Sequence, residues 1–200
     1  MAQPRKIVTA LRAAGPGRVQ IELDGERWRT VPLEAAVRSR IANGVQLDRE
    51  RARALARELR RLAALRTATG ALRQRDRSAA ELAARLERRG VAAADRERTL
   101  ETLERAGLVD DRRFALGRAR SLAVRGSGDA LIRHDLEQRG VAAEAVEAGL
   151  AALEPEPIRA ERIVARSGSG LKTALYLAAR GFEEEAIAAA IAQRGGGEVD

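Results

Sequence analysis

The first patterned stretch of the chain alternates apolar and polar residues, with the period of a half-buried β-strand. Its apolar members are Val19, Ile21 and Leu23. Asp24-Gly25 follows directly and is typical of a two-residue type I′ turn. The turn sets a register in which Ile21 is expected to face Trp28 on the apolar side. The pattern therefore predicts a β-hairpin that ends at Pro32 and, because a lone hairpin is marginal in water, packs on another element.

From Leu33 onward the periodicity is helical almost throughout. A short helix over about 33–42 is predicted to stop at Asn43-Gly44, and a longer one to start after the N-cap residue Asp48. The longer helix has an apolar stripe at intervals of three and four residues: Ala52, Leu55, Ala56, Leu59, Leu62 and Ala63. Its other side carries Arg53, Arg57, Arg60 and Arg61. That row is either a solvated face or a binding face.

An internal repeat is the most informative feature of the sequence. Three corners share one pattern, an Arg-Gly pair and an apolar residue: Arg89-Gly90-Val91, Arg139-Gly140-Val141 and Arg180-Gly181-Phe182. Each corner follows one apolar helix and precedes another. A glycine just past a helix end adopts the left-handed conformation that terminates the helix. The next apolar residue is then expected to pack back on the helix that has just ended.

Each corner is also preceded by a further helix. In the first unit, a helix over 68–76 is expected to lead to Ser78-Ala79-Ala80-Glu81, the pattern of a capping box. Asp110-Asp111 is predicted to cap the first helix of the second unit, and Pro155 marks the entrance to the third. The predicted fold is mainly α, with three tandem three-helix repeats in an elongated curved array after an N-terminal β-hairpin and helix. The expected domains are the extension (1–47), a linker helix with repeat 1 (48–109), repeat 2 (110–154), and repeat 3 with a short tail (155–200).

Composition supports a helical protein and narrows its chemistry. The 200 residues are 45% apolar but only 2% aromatic, so the core must consist of small and aliphatic side chains. The absence of cysteine excludes disulfides, thiolate metal sites and a cysteine nucleophile. No apolar run approaches the roughly 20 residues that span a bilayer. The first 15 residues lack the apolar core of a signal peptide, so we expect a cytoplasmic protein without a membrane partner.

The charge of the chain favours an anionic partner. Its net charge is +8, from 37 basic and 29 acidic residues. This excess points to nucleic acid or to an acidic protein face. Only Lys6 and Lys172 are lysines, so the arginine content could also reflect the base composition of the genome.

Candidate catalytic groups are scarce. The single histidine, His134, lies on a polar stretch of a predicted helix. The segment 168–173 looks like a phosphate loop, but Leu171 stands where the pattern needs a glycine before Lys172, so we expect an interhelical turn there. Asp110-Asp111 is better explained as a helix cap than as a metal site. The sequence therefore predicts no enzyme, no cofactor and no metal.

Four segments, in order along the chain, resemble the RecX family of RecA regulators. They are Arg75-Asp76-Arg77-Ser78-Ala79-Ala80-Glu81-Leu82 with Leu86 and Arg89-Gly90-Val91; Gly107-Leu108-Val109-Asp110-Asp111-Arg112-Arg113-Phe114-Ala115; Gly126-Ser127-Gly128 with Ile132, Leu136 and Arg139-Gly140-Val141; and Tyr176-Leu177-Ala178-Ala179-Arg180-Gly181-Phe182. The resemblance covers about residues 50–194. The chain departs from the family pattern at Arg118, where an aromatic is common, at Leu122, where an Arg is usual, and at Asp129, where Pro often follows.

The resemblance implies a negative regulator of RecA. Such proteins lie in the helical groove of the RecA–DNA filament and bridge neighbouring RecA subunits, blocking growth or promoting disassembly. ATP hydrolysis, strand exchange and RecA-assisted repressor cleavage then fall. The implied partners are RecA and, weakly or through RecA, single- or double-stranded DNA, and the protein is expected to be a monomer. The candidate contacts are the arginines of the first two repeats: Arg73, Arg75, Arg77, Arg85, Arg88, Arg89, Arg133 and Arg139.

Two other functions fit the same pattern. Short helices joined at glycine corners also resemble helix-turn-helix units, which predicts sequence-specific DNA binding without RecA. No single helix, however, carries the cluster of Asn, Gln and Arg expected at base edges. A generic helical scaffold with another protein partner is the second alternative, and it predicts no effect on RecA.

Overall fold

A computed structural model describes residues 6–195 and confirms a mainly helical protein with a small N-terminal sheet. Residues 1–5 and 196–200, which include the beginning of the predicted extension and the end of the predicted tail, lie outside the described residues. The strands are β1 (Lys6–Ala13), β2 (Arg18–Leu23), β3 (Glu26–Pro32) and β4 (Gln46–Leu47). The helices are α1 (Leu33–Arg38), α2 (Arg49–Leu72), α3 (Ala79–Arg88), α4 (Ala93–Arg105), α5 (Asp111–Val124), α6 (Asp129–Gln138), α7 (Ala143–Ala151), α8 (Glu156–Ser167), α9 (Leu171–Ala179) and α10 (Glu184–Gly195).

The predicted hairpin is present, but its register differs beyond the turn. Strands β2 and β3 pair antiparallel in a sheet of order β3-β2-β1-β4. A bulge shifts the pairing so that Ile21 lies opposite Arg29 rather than Trp28, and Trp28 is 41% exposed. The prediction that Trp28 joins the apolar face was therefore wrong, because one extra residue in β3 turns the next side chain to the other face. Strand β1, which the sequence pattern did not predict, pairs with β2 and adds Val8 to the core.

The predicted linker helix and the predicted first helix of repeat 1 form one continuous helix, α2. Asp48 caps its N-terminus as expected, and its Oδ1 accepts the Arg51 N–H at 2.8 Å. The separate helix expected over 68–76 is instead the end of α2, which runs through Gly70. A single glycine costs about 1 kcal/mol relative to Ala in a helix and does not by itself break one. The short helix α1 ends at Arg38, before the predicted stop, and Ser39 Oγ donates to a carbonyl in its last turn.

The three predicted corners have the geometry expected of glycine-terminated helices. Gly90, Gly140 and Gly181 have φ angles of +72°, +68° and +78°. The residue after each glycine donates its N–H back to the helix that has ended: Val91 to Leu86 at 3.1 Å, Val141 to Leu136 at 3.2 Å, and Phe182 to Leu177 at 3.1 Å. These bonds satisfy carbonyls that a helix end leaves unpaired. The internal repeat therefore corresponds to a structural repeat.

The described residues divide into two compact units. The N-terminal unit reaches Gly70 and includes Leu86–Thr99, and the C-terminal unit contains Ala71–Arg85 and the chain from Leu100 onward. In the N-terminal unit, the apolar face of the sheet packs with α1 and with Leu55 of α2. The C-terminal unit contains separate cores for repeats 2 and 3, centred on Ile132 and on Leu177. The four-part division predicted from sequence remains a prediction.

Within the C-terminal unit, the second helix of one repeat begins against the Arg-Gly corner of the next. Ser78 donates its hydroxyl to the Arg139 carbonyl at 2.6 Å, and the next backbone N–H donates to Asp111 at 2.8 Å. The contact is close, because a Cβ added to Gly140 would lie 2.5 Å from the Cβ of Ala80. Ser78 also caps its own helix by accepting the N–H three residues on, so half of the predicted capping box is confirmed.

The junction between repeats 2 and 3 repeats this arrangement. The Gly128 N–H donates to the Arg180 carbonyl at 2.8 Å, and the next N–H, that of Asp129, donates to Glu156. Glu156 thus occupies the role that an aspartate at the start of α5 has in the first junction. In both junctions, an acidic side chain at the start of one repeat accepts a hydrogen bond from a backbone N–H at the N-terminus of a helix in the repeat before it. The dipole of that helix favours a negative charge at this end.

Candidate binding surface

The eight arginines predicted as contacts are distributed over both compact units and have different environments. Arg88 and Arg89 belong to the N-terminal unit, and the other six to the C-terminal unit. Exposed residues are Arg73, Arg75, Arg88 and Arg89, and partly buried ones are Arg77, Arg85, Arg133 and Arg139.

Two of the predicted contacts, Arg75 and Arg139, belong to an ion-pair cluster inside the C-terminal unit. Arg75 and Arg139 approach the Glu81 carboxylate at 2.8 and 2.7 Å. Arg139 also reaches Asp135 at 2.8 Å, and Arg118 binds the same carboxylate through two hydrogen bonds of 2.8 and 2.7 Å. We name these five residues the Asp135 cluster. Planar guanidinium groups suit such two-point contacts with carboxylates.

The electrostatics of the Asp135 cluster keep its carboxylates ionised. Hydrogen bonds from Arg118 hold the pKa of the Asp135 carboxyl well below its usual range, with Arg139 contributing and partial burial opposing. Burial also opposes ionisation of Glu81, but Arg75 and Arg139 together lower the pKa of that carboxyl. The cluster joins α3, α5 and α6, so Arg75 and Arg139 have structural roles whether or not they also contact a partner. It also gives the unusual Arg118 a structural role, since Arg118 shares the Asp135 carboxylate with Arg139.

The remaining partly buried candidates, Arg77, Arg85 and Arg133, differ in their contacts. Arg133 pairs with Glu147 at the surface. The Arg77 Nε donates to the Ala71 carbonyl at 3.4 Å. The Nε of Arg85 is buried without a hydrogen-bond partner among the described residues. Exposed ion pairs of this kind contribute little to stability, so Arg133 can exchange Glu147 for another anion at small cost.

A buried network at the second junction was not predicted from the sequence. Arg159 is 7% exposed and donates to the Ser127 carbonyl at 2.9 Å and to Asp129. Its guanidinium also lies 5.8 Å from the centroid of the Phe182 ring, within range of a cation–π contact. Asp129, which departs from the family pattern, is therefore the carboxylate partner of a buried arginine. The one sequence signal for this pair was that Asp129 stands where Pro often follows in the family pattern.

The acidic pair Asp110-Asp111 and the segment that looks like a phosphate loop have structural roles. Asp110 caps α5 by accepting the Arg113 N–H at 2.9 Å, as predicted, whereas Asp111 accepts the Ala79 N–H at the start of α3. Lys172 lies in the first turn of α9, as the predicted interhelical turn requires.

Among residues 6–195, no group of three or more His, Cys, Asp or Glu is placed to hold a metal ion. Over the same span, no helix combines the length and the apolar character needed to cross a membrane.

Stacked three-helix repeats joined at glycine corners place the protein among the helical-repeat proteins, which present extended surfaces to partners. The family model for the second three-helix domain of RecX matches residues 110–150. Regulatory protein RecX of Halorhodospira halophila is 36% identical over 131 residues, covering 60% of this chain and 81% of the relative. The chain belongs to the RecX family. Regulatory protein RecX of Chromohalobacter salexigens is 35% identical, with coverage of 60% and 86%.

Solved structures agree on the fold. A crystal structure of regulatory protein RecX superposes with a TM-score of 0.78 at 21% identity, covering 90% of this chain and 96% of that one. RecX from Lactobacillus salivarius superposes with a TM-score of 0.58 at 17% identity, covering 67% of this chain and 96% of that one. The likeness in fold extends over more of the chain than the sequence matches to the curated relatives.

Proposed function

We propose that the protein is a negative regulator of RecA that binds the RecA–DNA filament and lowers its ATPase, strand-exchange and coprotease activities. Membership of the RecX family supports this proposal. The relatives are named regulatory proteins. A helical-repeat surface with a net positive charge also suits a long partner that exposes acidic protein surface and DNA phosphate.

One observation points to a contact region. The arginine of each corner stands at the same position of its repeat, but its environment differs. Arg139 is bound by two carboxylates, and Arg180 donates to the carbonyls of Arg125 and Gly126 at 2.6 and 3.1 Å. Arg89 is exposed and, within the described residues, has no ion-pair partner. Arg89 of the first corner and its exposed neighbour Arg88 are therefore available to an external anion.

The test is RecA ATPase on single-stranded DNA, titrated with substoichiometric protein. We expect inhibition well below one protein per RecA. The variant R88E/R89E should need about tenfold more protein, because two favourable charges become repulsive. The matched control is R27E/R29E, which makes the same charge change at exposed positions of β3 in the same compact unit.

Equal loss in both variants means that net charge, not the first corner, governs the effect. Absence of inhibition at stoichiometric excess overturns the proposal itself. Selection of bound DNA sequences without RecA then tests the helix-turn-helix alternative.

A further inference from the structure

A cationic cleft in the C-terminal unit lies outside the predicted contact residues. It has a volume of about 480 Å³ and lies between the end of α5, the end of α8 and the first turns of α9. Its lining residues are Val124, Arg125, Gly126, Ile163, Arg166, Ser167, Lys172, Thr173 and Tyr176. The cleft is therefore built by repeats 2 and 3 together.

The charges of this cleft are of one sign. Arg125, Arg166 and Lys172 line it, and no acidic residue does. Over the described span of the chain, none of the three takes part in an ion pair, in contrast to the arginines of the Asp135 cluster. Three cations around one concave surface with no compensating carboxylate attract an anion from solution.

A neighbouring cleft extends the cationic surface. It has a volume of about 370 Å³ and shares Val124, Gly126, Ile163 and Arg166 with the first. It adds Arg120 and Arg162. The one acidic residue that lines it, Glu154, is already paired with Arg162 at 2.8 Å. A ligand with anionic groups repeated along a chain can contact both clefts, whereas a single small anion contacts one.

The apolar members of the wall distinguish between two kinds of polyanion. Tyr176 is 49% exposed and Val124 is 89% exposed, so an aromatic ring and an aliphatic side chain flank the cations. Single-stranded nucleic acid supplies both phosphates and flat bases that stack on aromatic rings, whereas a plain polyanion such as polyglutamate supplies only the charge. We propose that this cleft binds single-stranded nucleic acid, with phosphates on Arg125, Arg166 and Lys172 and a base against Tyr176.

This contact does not require RecA, so it is measured without it. The probe is a fluorescein-labelled oligothymidylate of about 20 nucleotides, long enough for one compact binding site, and binding is followed by fluorescence anisotropy. Neutralising three phosphates predicts a slope of about −2 for log affinity against log salt. R166Q should weaken binding about fivefold and reduce the slope by about 0.7, and K172Q should do the same. The matched control is R66Q, which removes an exposed arginine from α2.

Tyr176 is tested separately, because stacking is insensitive to salt. Y176L should weaken binding about fivefold or more with an unchanged salt slope, and Y176F should restore it. Circular dichroism melting of each variant verifies that it is folded. Equal effects of R166Q, K172Q and R66Q overturn the proposal, as does binding of polyglutamate that equals binding of the oligonucleotide and is lost in the same variants. RecA ATPase measured on the same variants separates this proposal from the proposed function, because either can fail while the other holds.

Discussion

Replacing Gly140 with alanine tests whether the first junction holds repeats 1 and 2 together as closely as the structure indicates. Two effects add at this position. The φ of +68° requires the left-handed conformation, which costs an alanine about 1–2 kcal/mol. The new Cβ would also lie 2.5 Å from the Cβ of Ala80, against an ordinary carbon contact of about 3.5–4.0 Å. Relieving that overlap requires the junction to open, at a cost of about 1–3 kcal/mol.

Gly107 provides a control in the same compact unit. Its φ is +66° and it also ends a helix, but a Cβ there would meet nothing within 4 Å. Gly107→Ala therefore carries the backbone cost alone, reduced by the smaller entropy of the unfolded alanine chain. We expect Gly140→Ala to lower the free energy of unfolding by about 1–3 kcal/mol more than Gly107→Ala. At about 2–4 °C per kcal/mol, thermal melting followed by circular dichroism resolves this difference.

A double-mutant cycle isolates the contact itself. Ala80→Gly costs about 1 kcal/mol in helix propensity but removes the atom that Gly140→Ala would strike. The two substitutions together should therefore be less harmful than the sum of the two alone, by about 1–3 kcal/mol. Additive effects in the cycle, or equal losses in Gly140→Ala and Gly107→Ala, would refute close packing at the junction.

Three further predictions concern the same unit. Asp135→Asn should destabilise the protein by about 1–3 kcal/mol at neutral pH, because it removes the charged hydrogen-bond partner of Arg118 and Arg139. The control is Glu147→Gln at an exposed ion pair, which should have no measurable effect. Urea unfolding measures both. Folding lowers the pKa of the Asp135 carboxyl. The contribution of Asp135 to the free energy of unfolding is therefore complete above the ordinary aspartate pKa of about 3.9 and is lost as the pH falls below that value. The free energy of unfolding should fall less steeply with acid in Asp135→Asn than in the unchanged protein, and an equally steep fall would contradict this role. Asp129→Pro introduces the residue expected from the family pattern, and proline suits the first turn of a helix. It should nevertheless cost about 3 kcal/mol or more, because it leaves buried Arg159 without its carboxylate and removes the N–H that donates to Glu156. Asp129→Pro combined with Arg159→Met should recover only the part of that loss that comes from Arg159, as measured by thermal melting. Among the glycines of the unit, Gly128 should be the least tolerant of alanine, since its Cβ would lie 2.2 Å from a backbone oxygen of the third corner. Soluble, folded protein with an unchanged melting temperature would show that this contact is not as close as described.

The repeats could be predicted from the sequence because their signals are local. A glycine that ends a helix, such as Gly90 or Gly181, is recognised from the residues beside it, and the helix that follows is recognised from its own periodicity. The cap at Asp48 and the turn before Lys172 were predicted for the same reason. Each of these features is decided within about one helical turn.

The errors concern features that depend on packing. The bulge that turns Trp28 outward leaves no mark on the alternation of β2 or β3, because the extra residue is evident only once the strands are paired. Strand β1 gains its stability from β2, and its own apolar pattern is weak. In α2, the continuity through Gly70 reflects the strong helix propensity of the surrounding alanines and leucines, which outweighs one unfavourable residue.

The environments of the candidate contact residues also depend on packing and could not be predicted from the local sequence. Arg89, Arg139 and Arg180 are indistinguishable in the sequence, since each precedes a corner glycine. Their environments are decided by what the fold brings to them: Glu81 reaches Arg139 from 58 positions away, and a carbonyl 55 positions away accepts from Arg180. A repeat that has another repeat before it uses its corner arginine to hold the junction, while the first repeat has none before it. In an array of this kind, availability to a partner is therefore a property of position in the array, which sequence repetition alone does not reveal.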